Sequence, residues 1–228
     1  MQTKVRSRPI TATEFKRLRE GARVLEADSR GEKVLLTPDN RIIKLFYPRR
    51  RFTSAAIYPY ALRFWNNARK LHEKGIPTVA CEQLRYDSTY RRHVITYPLL
   101  PGISLRDLLK DAPDGDGHLT RLAAFLALLH KNGVLFRSIH LGNIIVLDNG
   151  EFGLIDIADM SIRRYPLGLV KRARNLRHML HDRTDRNILG RYGYGRFLGR
   201  YESDAGIHGC RRRLFRALVG YYAPVMKT

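Results

Sequence analysis

Phe136-Arg137-Ser138-Ile139-His140-Leu141-Gly142-Asn143 decides how this chain is read, because it sets five polar or glycine positions between two strongly patterned segments. Upstream, LTRLAAFLALLHKN (119–132) places apolar residues at helical spacing and is stopped by Gly133. Downstream, NIIVLD and FGLIDIA flank Asn149-Gly150, a strong signal for a hairpin. Asp156 ends the second hairpin strand, thirteen residues after Asn143. An amide and a carboxylate so placed offer the hard oxygen ligands that a divalent ion takes. The other reading makes Asn143 a turn residue and Asp156 a hairpin-end carboxylate.

Working toward the N-terminus, the pattern changes from helix to sheet. Thr11 and Glu14 form a capping box for FKRLRE, which Gly21 ends. Short apolar stretches follow, ARVLEA, EKVLL and RIIKLF, separated by Asp28-Ser-Arg-Gly31 and Pro38-Asp-Asn40. A long helix is predicted from near Ser54 to His72, ended by Gly75 and Pro77, and ACEQLRY and RRHVITYP read as two further strands. After LLPG, Ser104-Leu-Arg-Asp107 caps a short helix, and beyond Asp159 the chain is Arg-rich and helical. The fold class is therefore α+β. A small antiparallel sheet with one long helix (1–98) precedes a mainly helical part (99–228), the two making one bilobal domain. Lys44 lies among Ile42, Ile43, Leu45 and Phe46, where a charge needs a reason. It is either a ligand-binding residue or an outward-facing strand lysine.

The segment 136–143 resembles the protein-kinase catalytic-loop pattern H-R-D-L-x-x-x-N, matching at Arg137 and Asn143 with Ile139 for leucine. The helix leading into it and Asp156, at the place of the D-F-G aspartate, resemble the same superfamily. Together with LPGISLRDLL and the GIPT at 75–78, they resemble the bacterial lipopolysaccharide core sugar (heptose or Kdo) kinases, closest to short toluene-tolerance-type proteins with a similar F-R-S-x-H-L-G-N loop. The resemblance covers most of residues 20–160. It implies a bilobal protein-kinase-like fold and a phosphotransferase dependent on ATP and Mg2+, acting on a sugar or glycolipid hydroxyl at the cytoplasmic face of the inner membrane. It also assigns roles. Lys44 would reach the nucleotide phosphates, the turn at Gly31 would cover them, Asn143 and Asp156 would hold magnesium, and Arg137, Ser138 and His140 would form the catalytic loop.

Two departures bear on activity. Ser138 stands where the pattern has its catalytic aspartate, and a neutral hydroxyl is no general base near pH 7. His140 is the substitute base, or else it orients the loop. From Asn40 to His72 no residue is acidic against eight Lys and Arg, so no helix glutamate can pair with Lys44. Asn66, Asn67 and Glu73 are the stand-ins, and Asp156 itself is another possible partner. These departures keep a second reading open, a pseudokinase that serves as scaffold or regulator of an envelope pathway.

The 228 residues carry 42 Lys+Arg against 21 Asp+Glu, a net charge of +21, and residues 161–228 alone contribute +12. A hydrophobic share of 44% excludes a disordered chain. The charge favours phosphate-bearing partners: a nucleotide, an anionic glycolipid or the inner-membrane surface, with nucleic acid third, as in a KEOPS-type kinase subunit. Two distant cysteines, Cys81 and Cys210, and histidines without ligand spacing exclude a disulfide scaffold and a zinc site. The longest apolar run, Leu122 to Leu129, is too short to span a bilayer, and no signal peptide is visible. A cytoplasmic chain, peripheral at the inner membrane, is expected.

Overall fold

The computed structural model describes residues 7–48, 58–110 and 116–226. Its contacts divide the chain into two units, Met1–Leu100 and Pro101–Thr228.

The first unit is built on six strands: β1 (Arg8–Pro9), β2 (Arg23–Asp28), β3 (Gly31–Leu36), β4 (Arg41–Phe46), β5 (Gln83–Asp87) and β6 (Arg92–Pro98). Their order is β1-β5-β6-β4-β3-β2. Pairing is antiparallel except for β1, which runs parallel to β5 and was not expected. Two paired residues leave too short a pattern to read from sequence. Register fixes the two faces. Ile43 lies opposite Leu35 and Thr96, so this row joins Leu45, Val94, Ile10 and Phe15 of helix α1 (Ala12–Arg19) in one buried cluster. Thr11 caps α1 as expected, its hydroxyl accepting from the Glu14 amide at 3.2 Å while the Glu14 carboxylate accepts from the Thr11 amide at 2.8 Å. Ile42, Lys44 and Phe46 point to the other face. There helix α2 (Tyr60–His72) buries Ala61, Phe64, Asn67, Ala68 and Leu71, and the Phe64 ring lies 5.6 Å from those of Phe46 and Tyr97. The described helix opens after Pro59; the expected start near Ser54 lies outside the described residues.

The second unit begins with β7 (Ile103–Ser104) and α3 (Leu105–Lys110), where the Ser104 hydroxyl accepts from the Asp107 amide at 3.1 Å. Helix α4 (Asp116–Lys131) buries Leu119, Leu122, Ala123, Leu126, Ala127 and Leu129. Gly133 stops it with φ +74°; a Cβ there would lie 2.5 Å from the carbonyl oxygens of Arg163 and Tyr165, so only glycine lets the returning chain pass. Strand β8 (Val134–Phe136), a single helical turn (Leu141–Asn143), β9 (Ile144–Val146) and β10 (Phe152–Leu154) follow. The β9–β10 hairpin forms where Asn149-Gly150 marks it, but not as a two-residue turn. Leu147 donates to the Glu151 carbonyl at 2.9 Å, leaving a three-residue loop in which Gly150 alone takes positive φ. The Asn149 side chain accepts from the Glu151 amide at 2.9 Å and so fixes its own residue in a turn.

Residues 160–226 are not wholly helical. Strand β11 (Met160–Ile162) pairs with β8, and only then come α5 (Leu169–Met179), α6 (Arg183–Tyr192), α7 (Tyr194–Ala205) and α8 (Gly209–Tyr222). Tyr192 and Tyr201 pack into the core, whereas Tyr221 is 78% exposed. Glu202 of α7 is buried and accepts from Arg212 Nε at 2.7 Å and Arg216 Nε at 2.9 Å, pinning α8 to α7. No helix among the described residues is long and apolar enough to cross a membrane.

A buried polar network holds β8 from behind. His130 Nδ1 lies 2.6 Å from Tyr201 Oη and Nε2 lies 3.0 Å from Asn175 Oδ1, while Asn175 Nδ2 donates to the Phe136 carbonyl at 2.6 Å. Complete burial pulls the His130 pKa down to about 4, with Arg172 adding to the shift and the Asn175 bond opposing it. The unfolded chain binds the same proton near 6.5, so the stabilisation is full above that pH and is lost as pH falls toward 4. We predict a loss of about 3 kcal/mol across this window. Urea midpoints measured between pH 7 and pH 4 should show it, and His130→Gln should flatten the dependence.

Candidate functional site

The loop from Phe136 to Asn143 is fixed at its two ends. On the entry side, Arg137 donates from Nη1 to Asp159 at 2.8 Å and from its amide to the Asp159 carbonyl at 3.3 Å. The guanidinium thus ties the loop to the turn that follows Asp156. On the exit side, Asn143 Nδ2 donates to the Ser138 carbonyl at 2.8 Å, and the Asn143 carbonyl accepts from the Ile155 amide at 3.1 Å. Asp156 is the next residue, so the two expected magnesium ligands stand at the same end of one hairpin. With its amide nitrogen engaged, Asn143 keeps Oδ1 as its acceptor.

Asp156 adopts φ 51°, ψ 44°, a left-handed conformation. Among the described residues only Asn40 and Arg91 share a positive φ without being glycine, and both lie in turns joining antiparallel strands. Asp156 instead opens the turn Ile157–Asp159 between β10 and β11. A sparsely populated backbone state held by surrounding structure is typical of positions that aim a functional side chain. Ser138 is half-buried, and its hydroxyl makes no hydrogen bond among the described residues.

His140 is half-buried, and burial, reinforced by Arg106, holds its pKa below the ordinary histidine value against the carboxylates of Asp185, Asp156 and Asp182. The ring is neutral at pH 7. Its Nδ1 lies 3.5 Å from Arg106 Nη2, which makes Nδ1 the acceptor and places the proton on Nε2. The free lone pair faces a cation, so the ring is better suited to orienting the loop than to accepting a substrate proton. Gly142 is the residue that makes room, since a Cβ there would meet His140 Nδ1 at 3.1 Å.

The principal anchor of the loop was not legible in the sequence. Asp185, in the first turn of α6, is fully buried; it accepts from Arg106 Nε at 2.7 Å and Nη2 at 3.1 Å, and from the Leu141 amide at 2.8 Å. Asp182 caps α6 through the amides of Thr184 and Asp185 and also reaches Arg106 at 3.2 Å. These partners lie 44 and 79 residues apart along the chain, and no local periodicity marks such a contact.

In the first unit, Lys44 occupies the middle of β4, opposite Val34 and Ile95. Its ammonium lies 5.5 Å from the Phe64 ring and 6.0 Å from that of Phe46, both within cation–π range. Helix α2 therefore covers the face from which Lys44 projects. Of the three stand-ins for a helix glutamate, Asn67 alone is buried on that helix, one turn after Phe64. Glu73 pairs with Arg69 at 2.7 Å, and Asn66 donates to the Tyr58 hydroxyl. Gly31 has φ +114° and closes a two-residue turn between β2 and β3. Asp28 accepts from the Arg30 amide at 3.0 Å and pairs with Lys33 at 3.0 Å, and these bonds, led by the Arg30 guanidinium, hold its carboxyl far below the usual range.

No group of three or more His, Cys, Asp or Glu among the described residues could hold a metal ion unaided. The donor set Asn143 and Asp156 fits magnesium in another way, since that ion keeps several waters and takes one or two protein oxygens together with substrate phosphates.

No protein-family model and no curated protein matches the sequence. Many solved structures resemble the fold, among them two that span most of this chain. One is the kinase PK-1 of Cydia pomonella granulovirus, at 13% identity and TM-score 0.41, over 66% of this chain and 57% of that one. The other is WbdD, crystallised with a kinase inhibitor, at 17% identity and TM-score 0.42, over 79% of this chain and 45% of that one. The chain thus spans about half the length of these structures. What it shares with the sequence expectation is architecture: an α+β chain with a strand-rich first unit carrying one long helix and a mainly helical second unit holding the loop and hairpin.

Proposed function

We propose that this protein is a phosphotransferase of the lipopolysaccharide-core kinase type, using ATP and Mg2+ to phosphorylate a hydroxyl of a sugar or glycolipid. The observation that carries the reading is the hairpin end where Asn143, held through its amide nitrogen, and Asp156, held in a left-handed conformation, stand together. Asn143 and Asp156 would hold magnesium, which when bound neutralises charge developing on the phosphates. Lys44, in the first unit, would bind nucleotide phosphate through its ammonium. His140 orients the loop through Arg106, and Arg137 ties it to the Asp159 turn. Catalysis in such a site rests on positioning and electrostatics more than on covalent chemistry. The arginine-rich residues 161–228 suit an acidic, phosphorylated acceptor.

Ser138 favours a second reading, a pseudokinase that binds nucleotide without turnover and acts as scaffold or regulator. Both readings predict that millimolar ATP with Mg2+ raises the melting temperature by several degrees, and that Asp156→Ala removes the magnesium-dependent part of the shift. A wild-type protein that does not respond to nucleotide overturns both. Turnover on a lipopolysaccharide-core acceptor selects the first reading, and binding without turnover the second.

A further inference from the structure

We infer that the outward face of helix α8 is a docking surface for an anionic lipid bilayer. Its inward face is accounted for: Phe215 and Val219 are buried, and Arg212 and Arg216 are bound to Glu202. The opposite side is apolar where a solvated helix would be polar. At 100° per residue, Cys210, Leu214, Ala217 and Tyr221 fall within an arc of about 60°. Leu214 is 55% exposed and Tyr221 78%, and Val225, in the turn after the helix, is 47% exposed. Arg211 and Arg213 flank the stripe on either side, exposed and without an ion pair among the described residues. The basic surface continues onto α5, where the Arg174 guanidinium lies 5.8 Å from the Tyr222 ring and Val170 is also exposed.

An apolar stripe of leucine, valine and tyrosine between arginines matches the water–lipid boundary, where acyl chains take the stripe and headgroup phosphates take the guanidinium groups. Two other occupants fit less well. A second copy would bring like-charged arginine rows together on chains of net charge +21, and four side chains cannot supply the ~800 Å² per partner of a stable interface. RNA would satisfy the arginines and stack on Tyr221, but it offers nothing to Leu214, Ala217 and Val225. The inference goes beyond the kinase reading and does not depend on it, because none of these residues belongs to the loop, the hairpin end or the Lys44 strand.

Co-sedimentation with vesicles of phosphatidylglycerol and phosphatidylcholine in equal parts tests it. The full chain should bind these at least tenfold more tightly than pure phosphatidylcholine vesicles, and added salt should weaken the binding. The double variant Leu214→Glu, Tyr221→Glu should lose at least tenfold in vesicle affinity, with its melting temperature and its response to nucleotide unchanged. Cys210 supplies a direct probe on the stripe, since burial pushes the Cys81 thiol up to about 12 and leaves it unreactive at neutral pH. An environment-sensitive dye on Cys210 should shift to the blue on adding vesicles. Wild-type affinity in the double variant overturns the inference. So does loss in that variant of self-association or RNA retention while vesicle binding stays intact.

Discussion

Replacing Ser138 by aspartate is expected to raise ATP turnover by roughly 100- to 10,000-fold, the range a positioned general base contributes. The loop is already shaped to receive the carboxylate. Asn143 holds the Ser138 carbonyl at 2.8 Å, so the backbone at this position is fixed by the same residue that would bind the metal. The serine hydroxyl makes no hydrogen bond among the described residues, and the substitution therefore displaces no existing interaction. His140 does not compete for the role, because its free nitrogen faces Arg106. Initial rates of ADP release in wild type and Ser138→Asp, each at saturating ATP and Mg2+, make the comparison. If the variant still shows the nucleotide-induced melting shift but no gain in rate, segment 136–143 is not a catalytic loop.

Asp185→Ala is expected to destabilise the second unit by about 3–5 kcal/mol, because it removes one partner of a buried, multiply hydrogen-bonded ion pair. The guanidinium of Arg106 would lose its two bonds of 2.7 and 3.1 Å, and the buried Leu141 amide would lose its acceptor. For a chain of this length the melting temperature should fall by about 10 °C or more. The double variant Asp185→Ala, Arg106→Ala should recover part of the loss, since the guanidinium left with Asp182 alone is then gone as well. Purely additive losses would show that Asp185 acts through packing alone. Because Leu141 lies between His140 and Asn143, any surviving folded protein should also bind nucleotide and magnesium more weakly.

The sequence was most informative where the determining interactions are local. The Thr11–Glu14 and Ser104–Asp107 caps, the β4 strand, the Gly133 helix stop and the hairpin around Gly150 each depend on residues a few positions apart, and each is found close to its expected place. The loop 136–143 and the hairpin that leads to Asp156 were legible as elements for the same reason: a short loop and a hairpin set their residues at fixed spacing. The β1 and β11 strands were not, because segments of two or three residues acquire their conformation from the partner strand and not from an alternating pattern.

What the sequence alone determined is the α+β class, the longer helices and strands, and the hairpin end on which the chemistry is proposed to rest. Net charge also pointed to phosphate-bearing partners without saying where they would sit. Only the tertiary structure decided which groups hold the loop, Asp185 and Arg106 in front and His130, Asn175 and Tyr201 behind. It also buried Asn67 on α2 and left Leu214 and Tyr221 in solvent while Phe215 was buried. The reason is that burial and long-range hydrogen bonding depend on how elements far apart in sequence pack, and helical periodicity in α8 marks two apolar faces without saying which one the core will cover.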